Sequence, residues 1–149
     1  MSQDFYLGNP NLKKVGTEIQ FTKEQIQEYL RCKEDPVYFA MNYIKIISLD
    51  EGIVPFKMWD FQQELIESFH ENRFNIAKLP RQTGKSTTCV SYLLHYILFN
   101  DNVNVGILAN KLSTARDLLG RLQLAYEQLP LWLQQGIVVY NKGSMELEN

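Results

Sequence analysis

The chain has 149 residues, of which 45% are apolar and 21% charged, close to the usage of ordinary globular domains. This composition excludes a wholly disordered chain, and the length indicates a single domain. With 15 basic and 17 acidic residues the net charge is −2, which excludes a polybasic protein that binds nucleic acid through bulk charge.

Three helices are predicted in the first half of the chain. A capping box at Thr22 predicts a helix over residues 23–33. The Asp-Pro pair at 35–36 supplies an acidic cap and a proline at the first helical position, and predicts a second helix to about residue 46. Apolar residues at helical spacing predict a third helix over residues 60–71.

From residue 74 onward, short apolar runs alternate with helical patterns. The runs at 74–79, 103–109 and 137–140 predict strands, and helical spacing predicts helices over 85–99 and 112–129. Such alternation is typical of parallel strands joined by crossover helices. The sequence therefore predicts an α/β fold with a parallel sheet, preceded by N-terminal helices.

The chain divides into three predicted segments. Residues 1–20 show no hydrophobic period and are interpreted as a flexible arm, and residues 21–71 as an N-terminal helical segment. Residues 72–149 are interpreted as the first part of a nucleotide-binding core. A turn signal at 141–144 and an apolar return at 145–147 predict a hairpin close to the last residue, so we expect the sequence to be a fragment.

The sharpest motif lies between a predicted strand and an apolar helix. Residues 79–86 read Leu-Pro-Arg-Gln-Thr-Gly-Lys-Ser, which favours a phosphate-binding P-loop. A tight turn at a helix start aims backbone N–H groups at one point, and Gly84 lets phosphate approach them closely. The Lys85 ammonium can meet the outer phosphates, and the Ser86 hydroxyl can bind Mg²⁺. Leu79 stands where the usual pattern has glycine, so an incidental Gly-Lys-Ser remains the alternative.

The altered motif Arg-Gln-Thr-Gly-Lys-Ser-Thr at 81–87 resembles that of the large terminase subunit, the DNA-packaging ATPase, of T-even-like tailed bacteriophages. Asp-Phe-Gln at 60–62 resembles the segment of this family that recognises adenine. Residues 22–40, 105–111 and 129–144 contain further stretches similar to the family. The resemblance runs from about residue 21 to the end and implies an incomplete P-loop NTPase-type parallel sheet.

The resemblance also implies roles for individual residues. Lys85 would contact the β- and γ-phosphates, and Ser86 would hold Mg²⁺. Arg81 would stabilise charge on the transferring phosphoryl group. Gln62 would hydrogen-bond the adenine edge. The remaining residues of the phosphate cradle would be Gln82, Thr83, Gly84 and Thr87.

Each of these roles has a structural alternative. Arg81 could be a solvated loop charge, and Gln62 could face water on its helix. We expect Trp59 to pack in the core, with stacking on adenine as the alternative. His95 lies on the apolar helix and is predicted to be a packed core histidine.

Hydrolysis needs acidic groups that this sequence does not place in the expected pattern. Family members carry an Asp-Glu pair after a later strand, to anchor Mg²⁺ and orient water. Here no Asp-Glu pair follows an apolar run after Lys85. The Asp-Glu pair at 50–51 follows an apolar run before the motif and is interpreted as part of a connector over residues 49–54, with a metal-binding pair in a permuted sheet as the alternative. We therefore expect nucleotide binding by this chain alone and little turnover; the family's nuclease domain is also missing.

The leading hypothesis is the front part of a viral DNA-packaging motor ATPase that uses ATP and Mg²⁺. The resemblance implies duplex DNA, a portal protein and a small terminase subunit as partners, and a ring of copies only on the assembled motor. No signal peptide or membrane span is visible, so the host cytoplasm is expected. The alternatives are a fragment of a DEAD-like helicase and a non-catalytic nucleotide-binding module.

Overall fold

The computed structural model describes residues 5–48 and 50–149, and over these residues the chain has a mixed α+β fold. The described part contains five α-helices, two short 3-10 helices and four strands. The helices are α1 (Lys23–Glu34), α2 (Pro36–Tyr43), α3 (Asp60–Glu71), α4 (Lys85–Phe99) and α5 (Leu112–Glu127), with 3-10 turns at Tyr6–Gly8 and Leu131–Leu133. The strands are β1 (Lys45–Ser48), β2 (Gly52–Pro55), β3 (Ile137–Tyr140) and β4 (Met145–Leu147).

Side-chain caps fix the starts of the first two helices. The Thr22 Oγ1 accepts the N–H of Gln25 at 3.2 Å, and the Gln25 Oε1 accepts the N–H of Thr22 at 3.0 Å. The predicted capping box is therefore confirmed. The Asp35 Oδ1 accepts the N–H of Tyr38 at 2.8 Å and caps α2 in the same way.

The strands form two separate antiparallel hairpins. In the first, β1 pairs with β2 and Ile46 lies opposite Val54. The second helix is accordingly shorter than predicted and ends at Tyr43, because the β-branched Ile46 and Ile47 fit a pleated strand better than a helix. In the second, β3 pairs with β4 across the predicted turn at 141–144.

The prediction of a parallel sheet, and with it a P-loop NTPase-type α/β fold, is wrong. The apolar runs 74–79 and 103–109 are not strands in the structure. Ile76 is 101% exposed and Leu108 91% exposed. A parallel strand needs a hydrogen-bonded neighbour across a long connection, and within the described residues both sheets are two-stranded and antiparallel. The strands that do pair are close neighbours in the chain, so closing their loops costs little entropy.

The core is built around α4, which contacts α2, α3 and α5. Leu94 and Leu98 of α4 are fully buried, together with Ile66 of α3 and Phe39 of α2. Complete burial of one such side chain is worth about 2 kcal/mol. The predicted burial of the apolar helix at 85–99 is confirmed in part, because seven of its 15 residues are buried whereas Tyr96 is exposed.

The N-terminal segment is anchored to the second hairpin. Residues 1–4 of the predicted arm lie outside the described residues, whereas Leu12 is only 3% exposed. The N–H of Ile137 donates to the Lys13 carbonyl at 2.8 Å, and Lys14 forms a bridge with Ile137. This part of the arm thus covers the start of β3.

Cys32 and Cys89 are both free thiols. Burial raises the pKa of the Cys32 thiol to about 12, so this thiol stays protonated at neutral pH. Among the helices of the described residues, none has the length and apolarity that crossing a membrane requires.

Candidate functional site

The candidate site is the segment 79–86, which consists of a turn and the first two residues of α4. Gln82 and Gly84 both have positive φ, at 63° and 72°. Left-handed residues at these two positions curve the backbone sharply, and such curvature makes concavities in which N–H groups converge. The Thr83 Oγ1 donates to the Pro80 carbonyl at 3.0 Å and closes the turn. The stretch is therefore a compact turn at a helix start.

The Lys85 side chain folds back over this turn. Its Nζ donates to the Pro80 carbonyl at 3.2 Å and to the Leu79 carbonyl at 3.4 Å. Lys85 is also the first residue of α4, so its ammonium lies near the positive end of the helix dipole. Both features favour an anion at the same place.

Three other predicted ligands sit on the turn or the first turn of α4. Arg81 is exposed in the turn, and Ser86 is half-buried as the second residue of the helix. Thr87 is half-buried and borders a groove between β1, α4 and α5. The guanidinium of Arg81, the ammonium of Lys85 and the hydroxyl of Ser86 thus belong to residues at or next to the N-terminal end of α4.

Gln62 ties the turn to α3. It is 5% exposed, its Nε2 donates to the Thr83 carbonyl at 3.1 Å, and its Oε1 accepts the N–H of Trp59 at 3.0 Å. The alternative that Gln62 faces water is therefore wrong. A signal for half of this arrangement was present in the sequence, since a glutamine at the third helical position commonly reaches back to the cap.

Trp59 lies on the surface beside this link. Its side chain is 62% exposed, and its ring centroid is 5.7 Å from that of Phe61, with the planes tilted by 45°. The expectation that Trp59 packs in the core is wrong. Trp59 is the N-cap residue, directly before the first residue of α3.

The acidic pair Asp50 and Glu51 lies in the turn between β1 and β2, and residues 52–54 of the predicted connector belong to β2. Leu49, the first residue of that connector, lies outside the described residues. Within residues 5–48 and 50–149, no group of three or more His, Cys, Asp and Glu side chains is arranged to hold a metal ion. That Ser86 binds Mg²⁺ stays a prediction from the sequence.

Replacing Gly84 by alanine is expected to disrupt the turn. A Cβ at Gly84 would lie 2.6 Å from the Gln62 Nε2, and φ at +72° already disfavours any side chain. We expect Gly84→Ala to lower the free energy of unfolding by about 2 kcal/mol, from backbone strain and loss of the Gln62–Thr83 hydrogen bond. Urea denaturation measures this.

Gly52→Ala is the matched control for this substitution. Gly52 has φ at +75° and nothing within 4 Å of a built Cβ, so it carries the strain without the clash. We expect it to lower the free energy of unfolding by about 1 kcal/mol. Equal losses in the two variants would contradict the role assigned to the Gln62 contact.

No protein-family model matches this chain. A function for this chain is therefore inferred from the side chains and backbone groups of the turn at the start of α4.

Proposed function

We propose that this chain binds Mg-ATP at the turn 79–86 and acts as part of a DNA-packaging motor ATPase of the terminase type. The observation that supports this most is the position of the Lys85 ammonium. It is held over a compact turn by two backbone carbonyls, at 3.2 and 3.4 Å. Phosphate oxygens would take the place of these carbonyls as better, charged acceptors.

The side chains around the turn fit a triphosphate and its metal. Gly84 lets the turn pack closely against α3, since any Cβ there would meet the Gln62 Nε2 at 2.6 Å. Lys85 and the N–H groups of the turn would hold the outer phosphates, Ser86 would hold Mg²⁺, and the exposed Arg81 would contact the transferring phosphoryl group. The bound ion would supply charge neutralisation between the phosphates.

The wider function is proposed on the sequence resemblance alone. In that setting ATP hydrolysis drives duplex DNA into a capsid, with a portal protein and a small terminase subunit as partners. A ring of copies would form on the assembled motor, in the host cytoplasm.

The test is thermal unfolding with and without Mg-ATP. A ligand that binds only the folded state at about 100 times its dissociation constant stabilises by about 2.7 kcal/mol. We expect a corresponding rise in Tm for the wild-type chain and none for Lys85→Ala, because the substitution removes the main cationic contact.

Lys142→Ala is the control, since Lys142 is also an exposed lysine and lies in the β3–β4 turn. It should keep the full ATP-induced rise in Tm. Comparing the rise within each variant removes any effect of the substitution on the unliganded protein. A wild-type chain with no rise at millimolar Mg-ATP would overturn the proposal.

A further inference from the structure

A groove with a volume of about 360 Å³ lies between β1, α4 and α5. Its inner wall is apolar and includes the buried side chains of Ile44, Val90 and Ala125. Cavities of about 300–1,000 Å³ with apolar walls are typical of sites for small molecules. Among the described residues that line the groove, none is aromatic. The walls therefore fit an aliphatic chain better than a flat ring, which gains most from aromatic contacts.

The outer part of this groove is apolar and open to water. Ile47 of β1 is 65% exposed, Leu124 of α5 is 36% exposed, and both line the groove. A single exposed apolar side chain is ordinary on a protein surface, whereas these two border the same cavity as the buried wall. An aliphatic ligand that covers them removes apolar surface from water, which is favourable.

Two cationic side chains line the same groove, Lys45 from β1 and Arg121 from α5, and both are exposed. In the part of the chain that the structure describes, Lys13 and Glu148 form the only ion pair, so Lys45 and Arg121 have no carboxylate partner there. None of the described residues that line the groove is acidic. The groove therefore combines apolar walls with two unpaired positive charges and complements a ligand that is both aliphatic and anionic.

Apart from these cations, the groove offers a ligand few side chains that form hydrogen bonds. Two hydroxyls line it, those of Thr87 and Ser91. The Ser91 Oγ donates to the Thr87 carbonyl at 2.8 Å, and Ser91 is 1% exposed, so its proton is already used. A ligand with polar atoms along its whole length would leave them without partners, which is unfavourable. The lining therefore favours a ligand whose polar atoms are at one end.

We propose that this groove binds a fatty acid, with the aliphatic chain against the apolar walls and the carboxylate at Lys45 and Arg121. A carboxylate accepts charge-assisted hydrogen bonds from both an ammonium and a guanidinium, and these are stronger than bonds between neutral groups. The inference does not rest on the proposed function, because nucleotide binding is not required for it.

The experiment is isothermal titration of the full chain with octanoate, decanoate and dodecanoate, each below its micelle concentration. We expect the affinity to rise about fourfold with each added methylene that the groove buries, and to level off once the groove is full. Decanol has the same chain without the charge and should bind about tenfold more weakly than decanoate. Decanoate should also raise Tm, because a ligand of the folded groove stabilises the folded state.

Substitutions separate the charges from the apolar wall. Lys45→Gln and Arg121→Gln should each weaken decanoate by about fivefold and leave decanol unchanged. Ile47→Thr keeps a β-branched side chain suited to the strand and should weaken decanoate and decanol alike, by about threefold. Arg116→Gln is the matched control, since Arg116 is an exposed arginine of α5 that does not line the groove. All four side chains are exposed, so these variants should fold.

Three outcomes would overturn this inference. The first is the absence of saturable decanoate binding. The second is equal affinity for decanoate and decanol, or a loss in Arg116→Gln as large as in Arg121→Gln. The third is a fall in Tm with decanoate, which would show that the ligand binds the unfolded chain. None of these results bears on Mg-ATP binding, which the comparison with Lys85→Ala tests separately.

Discussion

Lowering the pH from about 7.5 to about 5 is expected to destabilise this protein by about 2 kcal/mol through one side chain, His95. His95 is 3% exposed, and its Nε2 lies 2.9 Å from the Cys32 carbonyl oxygen. Burial lowers the pKa of His95 from 6.5 to about 4, and the nearby His70 contributes to the lowering. The folded state therefore keeps this imidazole neutral where the unfolded chain would protonate it.

The direction of the effect follows from proton binding. Below the unfolded pKa of 6.5 the unfolded chain binds a proton that folded His95 does not, so stability falls with pH. The loss continues to the folded pKa of about 4 and reaches about 3 kcal/mol in total. Carboxylates with lowered pKa, such as Glu28 and Glu148, lose their contributions only in more acidic solution.

Urea denaturation at the two pH values measures this effect. His95→Gln keeps an N–H donor without a titrating ring, so its unfolding free energy should change little over the same interval. His70→Gln removes the exposed histidine whose ring centroid is 6.1 Å away and should keep most of the pH dependence. A pH dependence unchanged in His95→Gln would show that the imidazole is not its source.

Gly136→Ala is expected to lower the free energy of unfolding by about 3 kcal/mol. A Cβ at this position would lie 2.6 Å from the Val15 Cα and 2.7 Å from the Glu148 Cδ. The Val15 backbone cannot swing aside as a flexible side chain could. The N-terminal segment must therefore move away from β3, or Gly136 itself must shift.

The same shift would break a cluster of hydrogen bonds around Glu148. Its carboxylate accepts the N–H groups of Gly136 at 2.6 Å and Gly16 at 2.8 Å, and lies 3.6 Å from the Lys13 Nζ. Partial burial raises the pKa of Glu148, but these donors outweigh it and leave the pKa lowered. The carboxylate is thus stabilised in its charged form by the contacts that an alanine would disturb.

Gly120→Ala is the control, and it should have the opposite sign. Gly120 lies within α5, is exposed, and has nothing within 4 Å of a built Cβ. Alanine in a helix interior is more favourable than glycine by about 1 kcal/mol, so this variant should be more stable than wild type. Thermal or urea unfolding of the two variants checks both signs, and a Gly136→Ala protein as stable as wild type would contradict the packing described here.

Local signals in the sequence predicted the helices and their caps well. The capping box at Thr22 and the apolar stripes at 60–71 and 85–99 depend on residues a few positions apart, and the structure places helices there. The β3–β4 hairpin was also predicted, because its turn residues lie between the strands they join. The prediction of strands at 74–79 and 103–109 was wrong. An apolar run shows that a segment can form a strand, but it does not show whether another strand lies beside it.

The sequence by itself determined the turn before α4, the starts of α1 and α2 and the β3–β4 hairpin, because each depends on neighbouring residues. The tertiary structure decided that the runs at 74–79 and 103–109 are not strands, that Trp59 is exposed and that Gln62 bonds to Thr83. The bond from Gln62 to Thr83 joins residues 21 positions apart in the chain, and its geometry depends on how α3 packs beside α4. Hydrophobic patterning specifies which faces are buried, whereas long-range packing specifies which side chains meet.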